Sequence, residues 1–436
     1  MKIGIISLGC CKNLVDTENL IGLLQQSNQE ITYNLNEADA IIVNTCGFID
    51  PAKEEGINTI LEMAEYKTKN CKKLIVMGCL AERYREDLIK ELPEVDCFIT
   101  LKEYQQLGTI LTNVLGEKIA NDYGKCPQVL TGKPWMAYLK IADGCDNRCS
   151  YCAIPLIRGG YRSFDFDMLV NQAKELAARG VKELNLIAQD TTRYGLDNYG
   201  KRRLLDLLKA CNEIEGLHWI RVLYMYPDEI DDELIEGMAK LDKVLPYFDI
   251  PVQHGSDRML QLMNRRGSAE SIVKLANKIK ETFALPVLRT TMIVGFPSET
   301  EEDVKLNLEF MKDIKWDRLG GFTYSKEEDT SSYEMEDDVP QEVKEKRYEA
   351  IMKLQEEIVE GKNQNLIGQT LEVLVEKQDG LTGFYRGRSV FSAPDGIDGE
   401  VIFKSDEPIK FGTFVPVTIN RIKTHDFYGK VEKEKV

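Results

Sequence analysis

The sequence predicts an α/β chain of three units: an N-terminal parallel-sheet domain, a central partial (β/α)6 barrel and a small C-terminal antiparallel β-barrel. Three observations carry this expectation. The 436 residues exceed one ordinary domain, at roughly 150 residues per domain. Up to residue 330 short apolar runs alternate with helix-periodic stretches, the pattern of parallel strands covered by helices. From 366 onward only short β-rich runs remain, broken by Gly, Pro and Asp.

The first unit, residues 1–116, has strand-like runs at KIGIIS, at AIIVN (40–44) and at LIVMG (74–78), with helical stretches between them. Gly116 to Pro134 lacks periodicity and reads as a connection. The second unit is expected over 131–364. Its six strand-like runs lie near YLKIA (138–142), LNLIA (184–188), WIRVLYM (219–225), FDIPV (248–252), VLRTTMIVG (287–295) and LGGFTY (319–324). Ser268 is an N-cap candidate before a helix with Ile272, Leu275, Ala276, Ile279 and Phe283 on one face. Six βα repeats imply a partial barrel that carries its chemistry at the C-terminal ends of the strands. Val339 to Gln364 predicts a connecting helix with Ile351, Leu354 and Ile358 on one side, and 366–436 forms the third unit.

The 56 basic and 72 acidic residues leave a net charge of -16, which repels a phosphate backbone and favours a basic protein as partner. The opening MKIGIISLGC has too short an apolar stretch for a secretory signal, and no run approaches the roughly 18 apolar residues that span a membrane. A cytoplasmic protein with no membrane contact is expected. In such a compartment 11 cysteines point to metal binding or catalysis rather than to disulfides.

Cys145, Cys149 and Cys152 stand in DGCDNRCSYCAIP just after a strand, so three thiolates leave the sheet on one short loop. Three thiolates can hold a 4Fe-4S cluster and leave its fourth iron open to a small molecule. A zinc knuckle would want a fourth Cys or His close by, and none is near in sequence. A second triad follows from topology. Cys10, Cys46 and Cys79 each come after one of the first unit's strand-like runs, and neighbouring parallel strands end at one crevice. They are candidates for a second three-thiolate cluster. Cys11, Cys71, Cys97, Cys126 and Cys211 lack such placement and read as structural.

The spacing C-x3-C-x2-C resembles the radical S-adenosylmethionine superfamily, and the chain as a whole resembles the methylthiotransferases, whose C-terminal barrel is of the TRAM type. SLGCCKNLVDTE is similar to the G-C-x-K-N-x-V-D-S/T-E of the branch that modifies ribosomal protein S12, as are GCDNRCSYCAIPLIRGGYRS and GRSVFSAPDGIDG. Two positions depart from that pattern: Arg162-Ser163-Phe164 replaces the usual Arg-Ser-Arg, and Ala393-Pro394-Asp395 replaces Ala-Pro-Glu.

The resemblance implies two 4Fe-4S clusters and S-adenosylmethionine as cofactors. One S-adenosylmethionine would methylate a sulfur at the N-terminal cluster; a second would be cleaved at the barrel cluster. The resulting radical would take a hydrogen from the β-carbon of an S12 aspartate, which then receives the methylthio group. It places Tyr151 near the adenine and Gln189, Asp190, Gln253, Arg266 and Gly295 around the cofactor. His254, at a strand end, reads as a satisfied structural histidine. A reducing electron donor is implied as a further partner, and TRAM modules often bind RNA. Here the module carries 10 Lys plus Arg against 11 Asp plus Glu, so it is not basic in aggregate. The alternative within the family is a tRNA adenosine-37 methylthiotransferase. From another class, a non-catalytic iron-sulfur factor would have a degraded cofactor site, whereas Tyr151 and GFPSET look intact.

Overall fold

A computed structural model describes residues 1–432. The first sheet contains β1 (Lys2–Ser7), β2 (Glu30–Thr32), β3 (Ala40–Thr45), β4 (Lys73–Gly78) and β5 (Cys97–Ile99), all parallel, in the order β2-β1-β3-β4-β5. Because side chains alternate along a strand, the sheet presents two apolar faces. Ile3, Ile42 and Ile75 pack on the helices Cys11–Gln26 and Leu107–Leu115; Ile41, Val43 and Val76 pack on Asp50–Ala64 and Cys79–Glu91. This order reverses direction between β1 and β3, and a ligand crevice opens outside the strand ends at such a point.

The segment 116–134 has no regular element but is pinned in place. The Tyr123 ring meets Tyr104 edge-on at 5.2 Å, and Gln128 donates from Nε2 to Glu18 at 2.6 Å.

The central sheet runs β6 (Met136–Lys140), then, after a two-stranded antiparallel pair β7 (Ala142–Asp143) and β8 (Arg162–Ser163), β9 (Glu183–Ile187), β10 (Trp219–Val222), β11 (Val244–Asp249), β12 (Val287–Val294) and β13 (Arg318–Thr323). Its six parallel strands lie side by side in chain order, β6-β9-β10-β11-β12-β13, an open (β/α)6 barrel. The helix Ala269–Thr282 starts at Ser268, whose hydroxyl accepts from the Ser271 N–H at 3.2 Å. Gln341–Asn363 is the connecting helix.

The fourth strand begins earlier than FDIPV suggests. Ile220 pairs with Val244 and Val222 with Phe248, so two residues of β10 oppose four of β11. That irregularity absorbs Pro246, which cannot donate to a regular ladder and hides the strand in the sequence.

The last unit is a closed barrel of β14 (Thr370–Gln378), β15 (Tyr385–Arg388), β16 (Val401–Lys404), β17 (Phe414–Lys423) and β18 (Asp426–Val431), ordered β14-β15-β16-β18-β17. It is antiparallel except between β16 and β18, which run parallel. Five strands cannot alternate in direction all round a closed ring, so one parallel pair is unavoidable. The barrel docks on the face of the central sheet opposite the helices, where Ile187, Trp219 and Tyr247 join Leu371, Val373 and Phe427 in one core. Buried Arg388 donates to Glu183 and, from Nε, to Glu376 at 3.0 Å. Glu183 also accepts from Arg221 Nε at 3.1 Å, so the carboxylate is shared by two guanidiniums.

Candidate active site

Three strand ends of the first sheet build one corner of the site. Cys10 precedes the helix that begins at Cys11, Cys46 follows β3, and Cys79 opens the helix that leaves β4. Asn13 ties these loops together. Its Nδ2 donates to Thr45 O at 2.9 Å and Leu8 O at 3.2 Å, while its Oδ1 accepts from Arg158 at 2.6 Å and from the Cys79 thiol at 3.4 Å. Gly9 lets Cys10 approach. Its φ is +86°, and a Cβ there would stand 2.7 Å from Cys46 Cβ. Gly9→Ala is therefore expected to strain this corner by about 1–3 kcal/mol. After anaerobic reconstitution, iron analysis should find less metal per chain than in the parent.

The second triad is carried by the loop after β7. Gly144 has φ +73°, and a Cβ there would lie 2.1 Å from Gly160 O, so only glycine starts this loop. Cys145 N–H donates to Gly159 O at 3.1 Å and Cys152 N–H to Cys149 O at 3.0 Å. Ser150 anchors the middle, its N–H donating to Met263 O at 3.0 Å and its hydroxyl to Leu262 O at 2.9 Å.

Both triads line the same cavity of about 370 Å³, with Cys10, Cys46 and Cys79 on one side and Cys145, Cys149 and Cys152 on the other. Its remaining walls come from the C-terminal ends of β10 to β12 and from Asp395 of the last domain. A groove of about 560 Å³ over the helices near Lys174 and Glu213 contains no cysteine.

Burial pushes the Cys145 thiol up to about 11 and the Cys79 thiol up to about 12. Iron must therefore displace protons from these sulfurs, the usual linkage of thiolate coordination. A guanidinium stands beside each triad: Arg158 is 3.7 Å from Cys79 Sγ and Arg265 is 3.6 Å from Cys149 Sγ. Among the described residues no three His, Cys, Asp or Glu side chains are placed to share a single metal ion. A four-iron cube takes one thiolate on each of three irons, so the all-sulfur donor set of each triad fits a cluster.

Arg158 also welds the two corners. It donates to Asp16 Oδ2 at 3.0 Å and to Asp143 at 3.0 and 3.2 Å, with Lys140 on the same two carboxylates. Burial alone would raise the Asp143 pKa, but Lys140 and Arg158 outweigh it and hold the carboxyl below its ordinary range.

Of the residues expected around the cofactor, Tyr151, Gln189 and Gln253 line the cavity. Gln189 Oε1 is buried with no hydrogen-bond partner among the described residues, an acceptor free for a bound group. Gln253 has φ 77° and is held by N–H donation to Thr291 O at 2.8 Å. Asp190, Arg266 and Gly295 stand behind the wall. The Asp190 carboxylate accepts from Asn147 at 2.8 Å and from Thr192 N–H at 3.1 Å. Arg266 pairs with Asp228 at 3.0 Å and Glu229 at 2.8 Å and is half exposed. Gly295 faces Lys344, whose Cγ would lie 2.3 Å from a Cβ there.

His254 is structural: its Nδ1 accepts from Ser256 N–H at 2.9 Å, which leaves Nε2 to donate to Glu299 at 2.9 Å. Phe164 is half-buried against the barrel core with Lys140 Nζ 5.8 Å from its ring, and Arg162 beside it is exposed. Arg265 and Arg158 were not singled out by sequence reasoning. Arg265 adjoins Arg266 in an Arg-Arg pair, and only the fold tells which of the two turns inward.

Comparison with known proteins agrees with this architecture. Residues 2–100 match the model of the uncharacterized protein family UPF0004, 139–311 the radical SAM superfamily and 367–431 the TRAM domain. The ribosomal protein uS12 methylthiotransferase RimO of Acetivibrio thermocellus is 47% identical over 99% of both chains, and that of Pelotomaculum thermopropionicum 49% identical over 99% of both. The chain belongs to the RimO family. Among solved structures, the radical S-adenosylmethionine methyltransferase TsrM from Kitasatospora setae shares the fold at a TM-score of 0.56 and 12% identity, covering 73% of this chain and 72% of that one. The cobalamin-dependent S-adenosylmethionine radical enzyme OxsB aligns at 0.53 and 13% identity over 83% of this chain and 56% of its own. The segment that resembled the RimO branch at the outset, Lys12 to Glu18, is where the N-terminal domain grips the barrel: Asp16 meets Arg158 and Lys140, and Glu18 accepts from Gln128 and from Thr131 N–H at 2.9 Å. Among the described residues of this RimO-family chain, no helix is long and apolar enough to cross a membrane.

Proposed function

We propose that this chain is a radical S-adenosylmethionine methylthiotransferase that modifies the β-carbon of an aspartate in ribosomal protein S12, using two S-adenosylmethionine per product. The observation that carries the reading is the common cavity, since the methylthio group and the carbon that receives it must meet. Cys145, Cys149 and Cys152 would hold a 4Fe-4S cluster, which would supply the electron for reductive cleavage of S-adenosylmethionine, and Cys10, Cys46 and Cys79 would hold a second, which would supply the sulfur to be transferred.

The chain's own residues hold and enclose this chemistry. Tyr151, Gln189 and Gln253 contact the cofactor from the wall, with Gln189 Oε1 as an acceptor. Asp190, Arg266 and Gly295 act one layer out: Asp190 and Arg266 both fix Asn147, whose loop carries the cysteines, while Gly295 admits the connecting helix. Arg158 and Arg265 offset thiolate charge, and the apolar walls exclude water from a radical. The partners are basic S12, drawn by the acidic net charge, a reducing electron donor, and an RNA contact through the C-terminal module; the reaction takes place in the cytoplasm.

The test is anaerobic reconstitution with iron and sulfide, followed by S-adenosylmethionine and dithionite beside either small ribosomal subunits or undermodified tRNA. Mass spectrometry should find SCH3 in place of one hydrogen on an S12 aspartate peptide. The same gain on a tRNA adenosine and none on S12 would move the chain to the tRNA reading.

A further inference from the structure

Asn13 and Asp16 accept from Arg158 across the domain boundary, Thr17 bonds Ser7 and Asn44 within its own domain, and Glu18 accepts from Gln128 and Thr131 of the connection; Lys12 makes no such bond. Its side chain is 7% exposed, yet Nζ has no hydrogen-bond acceptor and no ion-pair partner among the described residues. It sits over the Tyr224 ring, 2.9 Å from the centroid, and lines the cavity between the two cysteine triads. Asp249 on the same wall does not neutralise it, because its carboxylate accepts from Tyr224 N–H at 2.9 Å and faces Arg289 at 3.9 Å. Tyr224 is itself held at φ 60°, which presents its ring to the ammonium.

A cavity-facing ammonium that rests on a ring, with the Asp249 carboxylate acting on it only from a distance, is an arrangement a fold keeps when an anion arrives with the ligand. Each triad already has a cation, Arg265 beside Cys149 and Arg158 beside Cys79, which leaves Lys12, two residues from Cys10, for a ligand at the corner from which the sulfur would come. We propose that Lys12 binds the side-chain carboxylate of the acceptor aspartate and thereby positions its β-carbon between the two triads. This rests on the reading that the acceptor is an aspartate of S12. It makes Lys12 the residue that distinguishes aspartate from asparagine.

Calorimetric titration of the reconstituted, unreduced holoenzyme tests this with two ligands: S12, and S12 whose acceptor aspartate is replaced by asparagine. The parent should bind the aspartate form about tenfold to a hundredfold more tightly, the range of a hydrogen-bonded charge pair. In Lys12→Met that ratio should fall to near one, and Lys12→Arg should restore part of it. An unchanged ratio in Lys12→Met overturns the proposal, as does weakened S-adenosylmethionine binding or loss of iron with the ratio intact, which would make Lys12 a partner of cofactor or cluster. Equal affinity of the parent for both forms overturns it whatever the variants do. A parent that modifies no S12 aspartate brings down the substrate reading itself; one that modifies S12 but fails the ratio test brings down only the role of Lys12.

Discussion

Cys149→Ala should abolish 5′-deoxyadenosine release and, with it, every trace of methylthio product, a fall of about 10⁶-fold or more, the lower bound of ordinary enzymatic acceleration. Cys149 is the middle sulfur of its loop and the one nearest Arg265. Without it two thiolates remain, too few anchors to keep a cluster redox-competent. The loop itself should survive, since Ser150 and Cys145 hold it through backbone bonds that do not involve the thiol. The variant's stability as the iron-free protein should therefore lie within about 1 kcal/mol of the parent. Product assay, iron analysis and thermal unfolding check this together. Release of 5′-deoxyadenosine at the parental rate would refute the assignment of this triad.

Arg158→Met should cost about 3–5 kcal/mol, the penalty for leaving buried carboxylates without their cation. Asp16 belongs to the N-terminal domain and Asp143 to the barrel, and both are buried or nearly so. Lys140 alone cannot satisfy the two, nor can it reach Asn13, to which Arg158 donates at 2.6 Å. Calorimetry should show the N-terminal domain melting ahead of the rest rather than with it. Arg158→Lys should fall between, because an ammonium keeps the charge but loses the planar fork that spans three acceptors. A single, unshifted transition in Arg158→Met would show that the apolar contacts alone hold the domains together.

The six barrel strands, the helix behind Ser268 and the loop of Cys145, Cys149 and Cys152 were legible from local pattern: β-branched runs, a capping serine, a spacing; that Cys10, Cys46 and Cys79 meet at one cavity was legible only from the way parallel strands end side by side. Pro246 concealed half of a strand because the irregular pairing that tolerates it is a property of two strands together. Gly295 shows the limit on the site. A glycine at a strand end is equally suited to a cofactor or to a crossing helix, and here Lys344 occupies the space. Arg158 was illegible for a related reason, since its four partners come from residues 13 to 143 and meet only after two domains dock. Lys12 was visible as part of a motif, but that its Nζ has no hydrogen-bond acceptor or ion-pair partner among the described residues is a fact about packing.

Asp395 closes the cavity from a loop that lies beyond residue 390, at the far end of the chain from Cys10. Domains fold largely as units and in order of synthesis. A growing polypeptide therefore has both cysteine triads folded while one side of their chamber still stands open to the surroundings. Docking of the last domain then completes that side of the wall. Completion of the chamber is in this way a late event in the making of the chain.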